Sequence, residues 1–163
     1  MDTIEVSTDV RVPPEEAYAF LLDFRGYARY SEHIASVRQH GDGSPGTEYD
    51  IEFSWWRLSH TVRSRVTGAE QPHEIRWEVV DGLRAEGRWE VGETESGSRV
   101  TLVVTYDPDS ASGVVDLPAL VSLDWVVDRV VGVVEKEGER TVERVVADLE
   151  GELRPVELVV ETR

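Results

Sequence analysis

Cysteine is absent from these 163 residues, so neither a disulfide framework nor a thiolate metal site can form. Lysine is almost absent as well. Lys136 is the sole example, and 17 basic residues face 33 acidic ones for a formal net charge of -16. Binding to phosphate backbones needs a clustered positive surface, so no nucleic-acid partner is expected. An anionic membrane surface is disfavoured for the same reason. A long uninterrupted apolar run is also missing. The most apolar stretch, residues 117–134, is broken by Asp124, Asp128 and Arg129, so stable membrane insertion is not expected. The opening MDTIEVSTDV has neither the basic nor the apolar region of a secretion signal, which makes a cytoplasmic location the default expectation.

What the chain does have is enough apolar material for one core. Hydrophobic residues make up 40%, with five Trp and five Tyr that need burial, and the length suits a single domain over 1–163. The acid is therefore on a folded surface. With Arg in place of Lys, such a surface reads as that of a salt-adapted protein.

Residues 3–12 alternate, with Ile4, Val6, Val10 and Val12 opposite Glu5, Ser7, Asp9 and Arg11, as a half-buried strand does. Pro14-Glu15-Glu16 then opens a helix with proline early and acids in the first turn, carried on by Ala17, Phe20, Leu21 and Phe24. A second short helix is expected over Tyr27 to Ala35, with Ser31 as one possible cap. From Val37 the period changes to two. Turn chemistry at residues 40–46 precedes Tyr49, Ile51, Phe53 and Trp55 on one face, followed by Leu58, His60, Val62, Ser64 and Val66. Ile75, Trp77 and Val79 come next, then Leu83, Ala85, Gly87, Trp89 and Val91 after Asp81-Gly82, and Val100, Leu102, Val104 and Tyr106 after residues 95–98. The opposite face carries Arg63, Arg65, Arg76, Glu78, Arg84, Glu86, Arg88 and Glu90, which suit water and cross-strand ion pairs.

Six or seven antiparallel strands, wet on one face, must cover the other. The element long enough to do so is a helix over residues 117–149 that follows a loop at 108–113, with Gly132 and Gly138 as weak points and Gly151 as its C′ residue. The remaining 152–163 form either an extra strand or a tail. That strand could pair with a sheet edge or with a second copy, giving a homodimer.

The order of strand, two short helices, antiparallel strands and long last helix resembles the helix-grip fold of the START and Bet v 1 superfamily. The nearest likeness is to its polyketide cyclase/dehydrase-like and coenzyme-Q-binding-like members. The residues that carry it are Val10-Arg11-Val12-Pro13-Pro14-Glu15-Glu16-Ala17-Tyr18-Ala19-Phe20-Leu21-Leu22-Asp23. Tyr27 and Tyr30 fall where the group often has an aromatic segment with a proline, which this chain lacks. The resemblance spans roughly residues 3–150 and implies an α+β curved sheet wrapped around the C-terminal helix, with an internal apolar cavity. It transfers no catalytic residue.

On the inner face, Tyr49, Phe53, Trp55, His60, Trp77, Trp89 and Tyr106 are the candidate ligand-lining residues. Either they bound a cavity, with His60, Ser64 and the tyrosine hydroxyls as its polar groups, or they interlock as solid core. His60 could orient or protonate a ligand oxygen, or be an ordinary satisfied core histidine. His33, His40 and His73 lie at turns or helix ends. No histidine spacing suits a metal site, and neither a metal nor a cofactor is expected. In Trp55-Trp56 only one ring can face inward. Asp124 and Asp128, one turn apart, could do acid/base work or mark the solvent stripe, and the neighbouring Arg129 favours the stripe.

Three functions remain open: carriage of a small hydrophobic molecule such as a lipid, isoprenoid quinone or polyketide; a polyketide cyclase or dehydratase using His60 with Tyr106; and a protein-binding module. The -16 charge yields a first test, because molar salt cuts the screening length to about 3 Å and suppresses self-repulsion. The thermal midpoint is expected to rise from low to molar potassium chloride; a flat or falling midpoint would contradict salt adaptation.

Overall fold

The computed structural model describes residues 2–55, 58–80, 84–107, 123–152 and 154–163, without the side chains at 55, 58, 60, 123–131 and 133–137. The Asp81-Gly82 turn, the loop at 108–113, Trp56 and the helix start at 117 lie outside the described residues. So do the side chains of Asp124, Asp128 and Arg129.

The chain begins with strand β1 (Asp2–Val10), helix α1 (Pro14–Leu22) and a 3-10 helix (Phe24–Arg29). Six strands follow: β2 (Ile34–His40), β3 (Glu48–Trp55), β4 (Leu58–Glu70), β5 (Glu74–Val79), β6 (Ala85–Thr94) and β7 (Gly97–Tyr106). Helix α2 (Leu123–Glu150) and strand β8 (Val159–Thr162) complete it. The strands make one antiparallel sheet in the order β2-β3-β4-β5-β6-β7-β1-β8. This is the α+β helix-grip arrangement, with seven strands ahead of α2 and an eighth from the tail. The tail lies against the free edge of β1, with Thr3 and Arg163 exchanging two backbone hydrogen bonds of 2.7 and 2.8 Å.

Local chemistry explains most boundaries. α1 starts with Pro14 in its first turn and Glu15 and Glu16 beside its unpaired N–H groups, and it buries Ala17, Tyr18 and Leu21. Gly41, Gly43 and Gly46 all take positive φ in the β2–β3 turn. At the end of α2, Gly151 has φ 76° and donates its N–H to the Ala147 carbonyl at 2.9 Å, the expected C′ role. One boundary differs from expectation. The second helix is a 3-10 turn that ends at Arg29, and Ile34 and Ala35 belong to β2. Ile34 pairs with Phe53, so cross-strand pairing outweighs a weak helical signal, and the Ser31 hydroxyl accepts only a local bond from the His33 N–H at 3.2 Å.

Register shifts at Ile34/Ser36 and Val66/Gly68 place an irregularity in β2 and in β4, and such bulges bend and twist the strands that carry them. α2 packs its C-terminal half on the inner face. Val146 is fully buried, and Val142 and Leu149 lie against the same core. The outer face is a lattice of ion pairs, including Arg65 with Glu48 and Glu78, Arg76 with Glu70 and Glu74, and Arg88 with Glu90.

The best-built of these pairs is at Asp50. It accepts Arg63 Nε at 2.8 Å, Arg63 Nη2 at 3.0 Å and His40 Nε2 at 2.9 Å. These hydrogen bonds, the Arg63 ones foremost, hold its carboxyl well below the usual carboxylate range. A carboxyl depressed in the folded state contributes stability above its unfolded value of about 4, and that contribution is lost as pH falls through the folded value. Urea unfolding of Asp50→Asn at pH 7 and pH 3 should therefore show a smaller acid-induced loss than the parent; an equal loss would contradict the pairing.

Gly97 allows a second check. A Cβ there would collide with the Val10 carbonyl and the Arg11 and Val12 backbone at φ 153°, whereas one at Gly92 would meet open space. Gly97→Ala should cost at least about 1–3 kcal/mol in urea unfolding and Gly92→Ala less than about 0.5 kcal/mol.

Candidate functional site

Residues directly opposite in an antiparallel sheet project to the same face, so the register states which side chains share the surface beneath α2. Tyr49 lies opposite Ser64, and Ser64 opposite Val79. Val66, Trp77, Gly87, Val104 and Ile4 form a second row, and Ile75, Trp89, Leu102 and Val6 a third. Phe53 pairs with His60, Trp55 with Leu58, and Ala85 with Tyr106. All seven candidate lining positions therefore stand in one phase, that of the buried core. The side chains of Trp55 and His60 lie outside the described residues.

The two ends of this face differ. At one end the rings interlock. Tyr49 is 1% exposed, and Val66 and Ile75 are fully buried. Phe24 meets Tyr49 edge-on at 4.6 Å between centroids and Tyr27 at 5.3 Å, and Tyr27 meets Trp89 at 6.2 Å. The Tyr27 hydroxyl donates to the Leu21 carbonyl. Burial pushes that hydroxyl well above its ordinary value, with nearby Tyr49 and Asp23 adding to the shift, so Tyr27 is a neutral phenol. Tyr30 donates to Asp148 Oδ2 at 2.8 Å and ties this end to α2.

Tyr49 is thus packed as core at the filled end. Phe20, Phe24 and Tyr27 are the residues that sequence reasoning did not place at the site. Phe20 and Phe24 were visible as a helical stripe, but the 3-10 turn that swings Tyr27 onto Trp89 has no comparable period to announce it.

Toward the other end the face is more open. Ile51, Val62, Trp77, Val79, Ala85 and Tyr106 are half-buried, and Phe53 is 41% exposed. The Trp77 indole comes close over Gly87, where a Cβ would collide with the ring. The glycine thus lets a large aromatic ring lie close to the sheet floor.

Titratable chemistry is sparse here. Among the described residues no cluster of three His, Asp or Glu could hold a metal ion. His60 on β4 and Tyr106 on β7 are three strand spacings apart, roughly 14 Å across the sheet, and Tyr106 is level with Ser64 rather than with His60, so they do not form a dyad by register. His40 is on the outer face with Asp50. No described helix is long and apolar enough to cross a membrane.

A search of curated proteins finds no match. Among solved structures, the aromatase/cyclase Zhui from Streptomyces sp. R1128 superposes with TM-score 0.69 at 16% identity, over 92% of this chain and 94% of its own. Ara h 8.0201 gives 0.60 at 15%, over 92% and 98%. The di-domain ARO/CYC StfQ of the steffimycin biosynthetic pathway gives 0.67 at 16%, over 92% of this chain, which spans only 52% of that protein. These likenesses establish the shared fold. The family described as polyketide cyclase / dehydrase and lipid transport matches residues 1–154, the whole of the sheet and helix apart from the last strand, and the chain belongs to that family.

Proposed function

We propose that the protein binds a small hydrophobic molecule between the inner sheet face and α2, toward the open end. The observation that carries this reading is the change along one continuous apolar surface from interlocked rings at Tyr49, Phe24 and Tyr27 to half-buried Trp77 and Tyr106 and exposed Phe53. Large aromatic walls with few polar groups are what a pocket for an apolar ligand requires. Lipids, isoprenoid quinones and polyketide-like aromatics all meet that description, and the family includes both transport and cyclase members by its description.

Cyclase or dehydratase chemistry is the second reading, favoured by the resemblance to aromatase/cyclases. It would use His60 and Tyr106 from opposite sides of a bound substrate, since their strands are not adjacent.

Titration with an environment-sensitive apolar dye or a quinone, read by tryptophan quenching, should be saturable with one-to-one stoichiometry. Trp77→Ala should weaken binding, while Arg76→Ala, on the outer face with Glu70 and Glu74, should leave it unchanged. If nothing binds and Trp77→Ala only costs the roughly 3–5 kcal/mol of a deleted core ring, the face is solid and the proposal fails.

A further inference from the structure

Ser64 is a small polar residue set among the apolar side chains of the inner face. It stands at the middle of β4, between Val62 and Val66 along the strand and between Tyr49 and Val79 across it. Only 6% of it is exposed, yet among the described residues its hydroxyl has no hydrogen-bond partner. Most buried side-chain hydroxyls in folded proteins bond to backbone or to another side chain. An unpaired one is a net cost to the fold that alanine or valine would avoid. Ser64 lies at the boundary between the filled end, at Tyr49 and Val66, and the half-buried positions Ile51, Val62 and Val79. A ligand entering from the open end would meet it at the inner limit of the groove.

On the sheet around it the side chains are uncharged. The nearest positions in the same phase are Tyr49, Ile51, Val62, Val66, Trp77 and Val79. Among the described strand residues, the charged side chains that share this phase are Asp2 and Glu93, both acids and both at strand ends. An ionised carboxylate drawn to Ser64 would have no counter-charge on the sheet, and burying an unpaired charge is far more costly than burying a neutral polar group.

We infer that Ser64 is the polar anchor of the groove, and that its ligand is a neutral apolar molecule bearing a carbonyl or hydroxyl oxygen rather than a fatty-acid-like anion. This rests on the binding function proposed above and adds to it the class of ligand and the atom that selects it. A serine hydroxyl both donates and accepts, so it can hold either kind of oxygen.

Three probes of nearly equal shape separate the terms: 2-acetylnaphthalene, 2-ethylnaphthalene and 2-naphthoate, titrated calorimetrically into the full chain at pH 7. The ketone should bind about three- to tenfold more tightly than the hydrocarbon, the increment of one neutral hydrogen bond, with the carboxylate weakest. Ser64→Ala should bring the ketone to the affinity of the hydrocarbon, leave the hydrocarbon unchanged, and leave the thermal midpoint unchanged or raised. An unaltered ketone-to-hydrocarbon ratio in Ser64→Ala would mean that the hydroxyl holds only water and would overturn the assignment. A carboxylate that binds as well as the ketone, or a lowered midpoint, would do the same. Hydrocarbon binding with that unaltered ratio defeats the anchor alone, whereas failure of all three probes to bind defeats the groove as well.

Discussion

The two-residue period of the pleated sheet, kept in register across eight strands, governs this molecule. It gathers the rings and aliphatic side chains on one surface and the arginines and glutamates on the other. A one-residue slip in any strand would exchange the two populations, placing Arg76 in the core and Trp77 in water. Once the phase is set, the apolar surface has to be covered, and α2 provides that cover through Val142, Val146 and Leu149. Burial at roughly 25 cal/mol per Å² over so many side chains is the term that offsets chain ordering.

The cover is uneven, and the proposed binding site follows from the unevenness. α1 and the 3-10 helix contribute Tyr18, Leu21, Phe24 and Tyr27 to one end only, and there the packing is dense. Interlocked aromatics, with the Tyr27 hydroxyl held by the Leu21 carbonyl, make a rigid stop. A rigid stop at one end and half-buried aromatics at the other give the surface a direction, from open end to filled end.

Much of this was legible in the sequence because period-two patterning is a strong signal. The phase of Tyr49, Phe53, Trp77, Trp89 and Tyr106 could be read from spacing alone, as could the outward Arg and Glu residues. Pro14 with two following glutamates announced α1, and Gly151 announced the end of α2. What could not be read were features that depend on long-range pairing. Ile34 joins β2 only because Phe53 lies opposite it. The bulge at Val66/Gly68 has no local marker beyond a glycine, and Tyr49 becomes filled core only because Phe24 arrives from another element. Nor could spacing reveal that His60 and Tyr106 are three strands apart, since strand order is a property of topology.

The pairing of β8 with β1 has a mechanical consequence. Thr3 and Arg163 are joined by two backbone hydrogen bonds in an antiparallel ladder that also includes Ile4–Thr162 and Val6–Val160. A pulling force applied between residues 3 and 163 would load these bonds one after another rather than together. The tail would peel from β1 like a zipper while β1 stayed bonded to β7 on its other side. Under tension the outermost strand is therefore the first to yield, and its release would expose the backbone groups of β1 while the grip of α2 on the inner face persists.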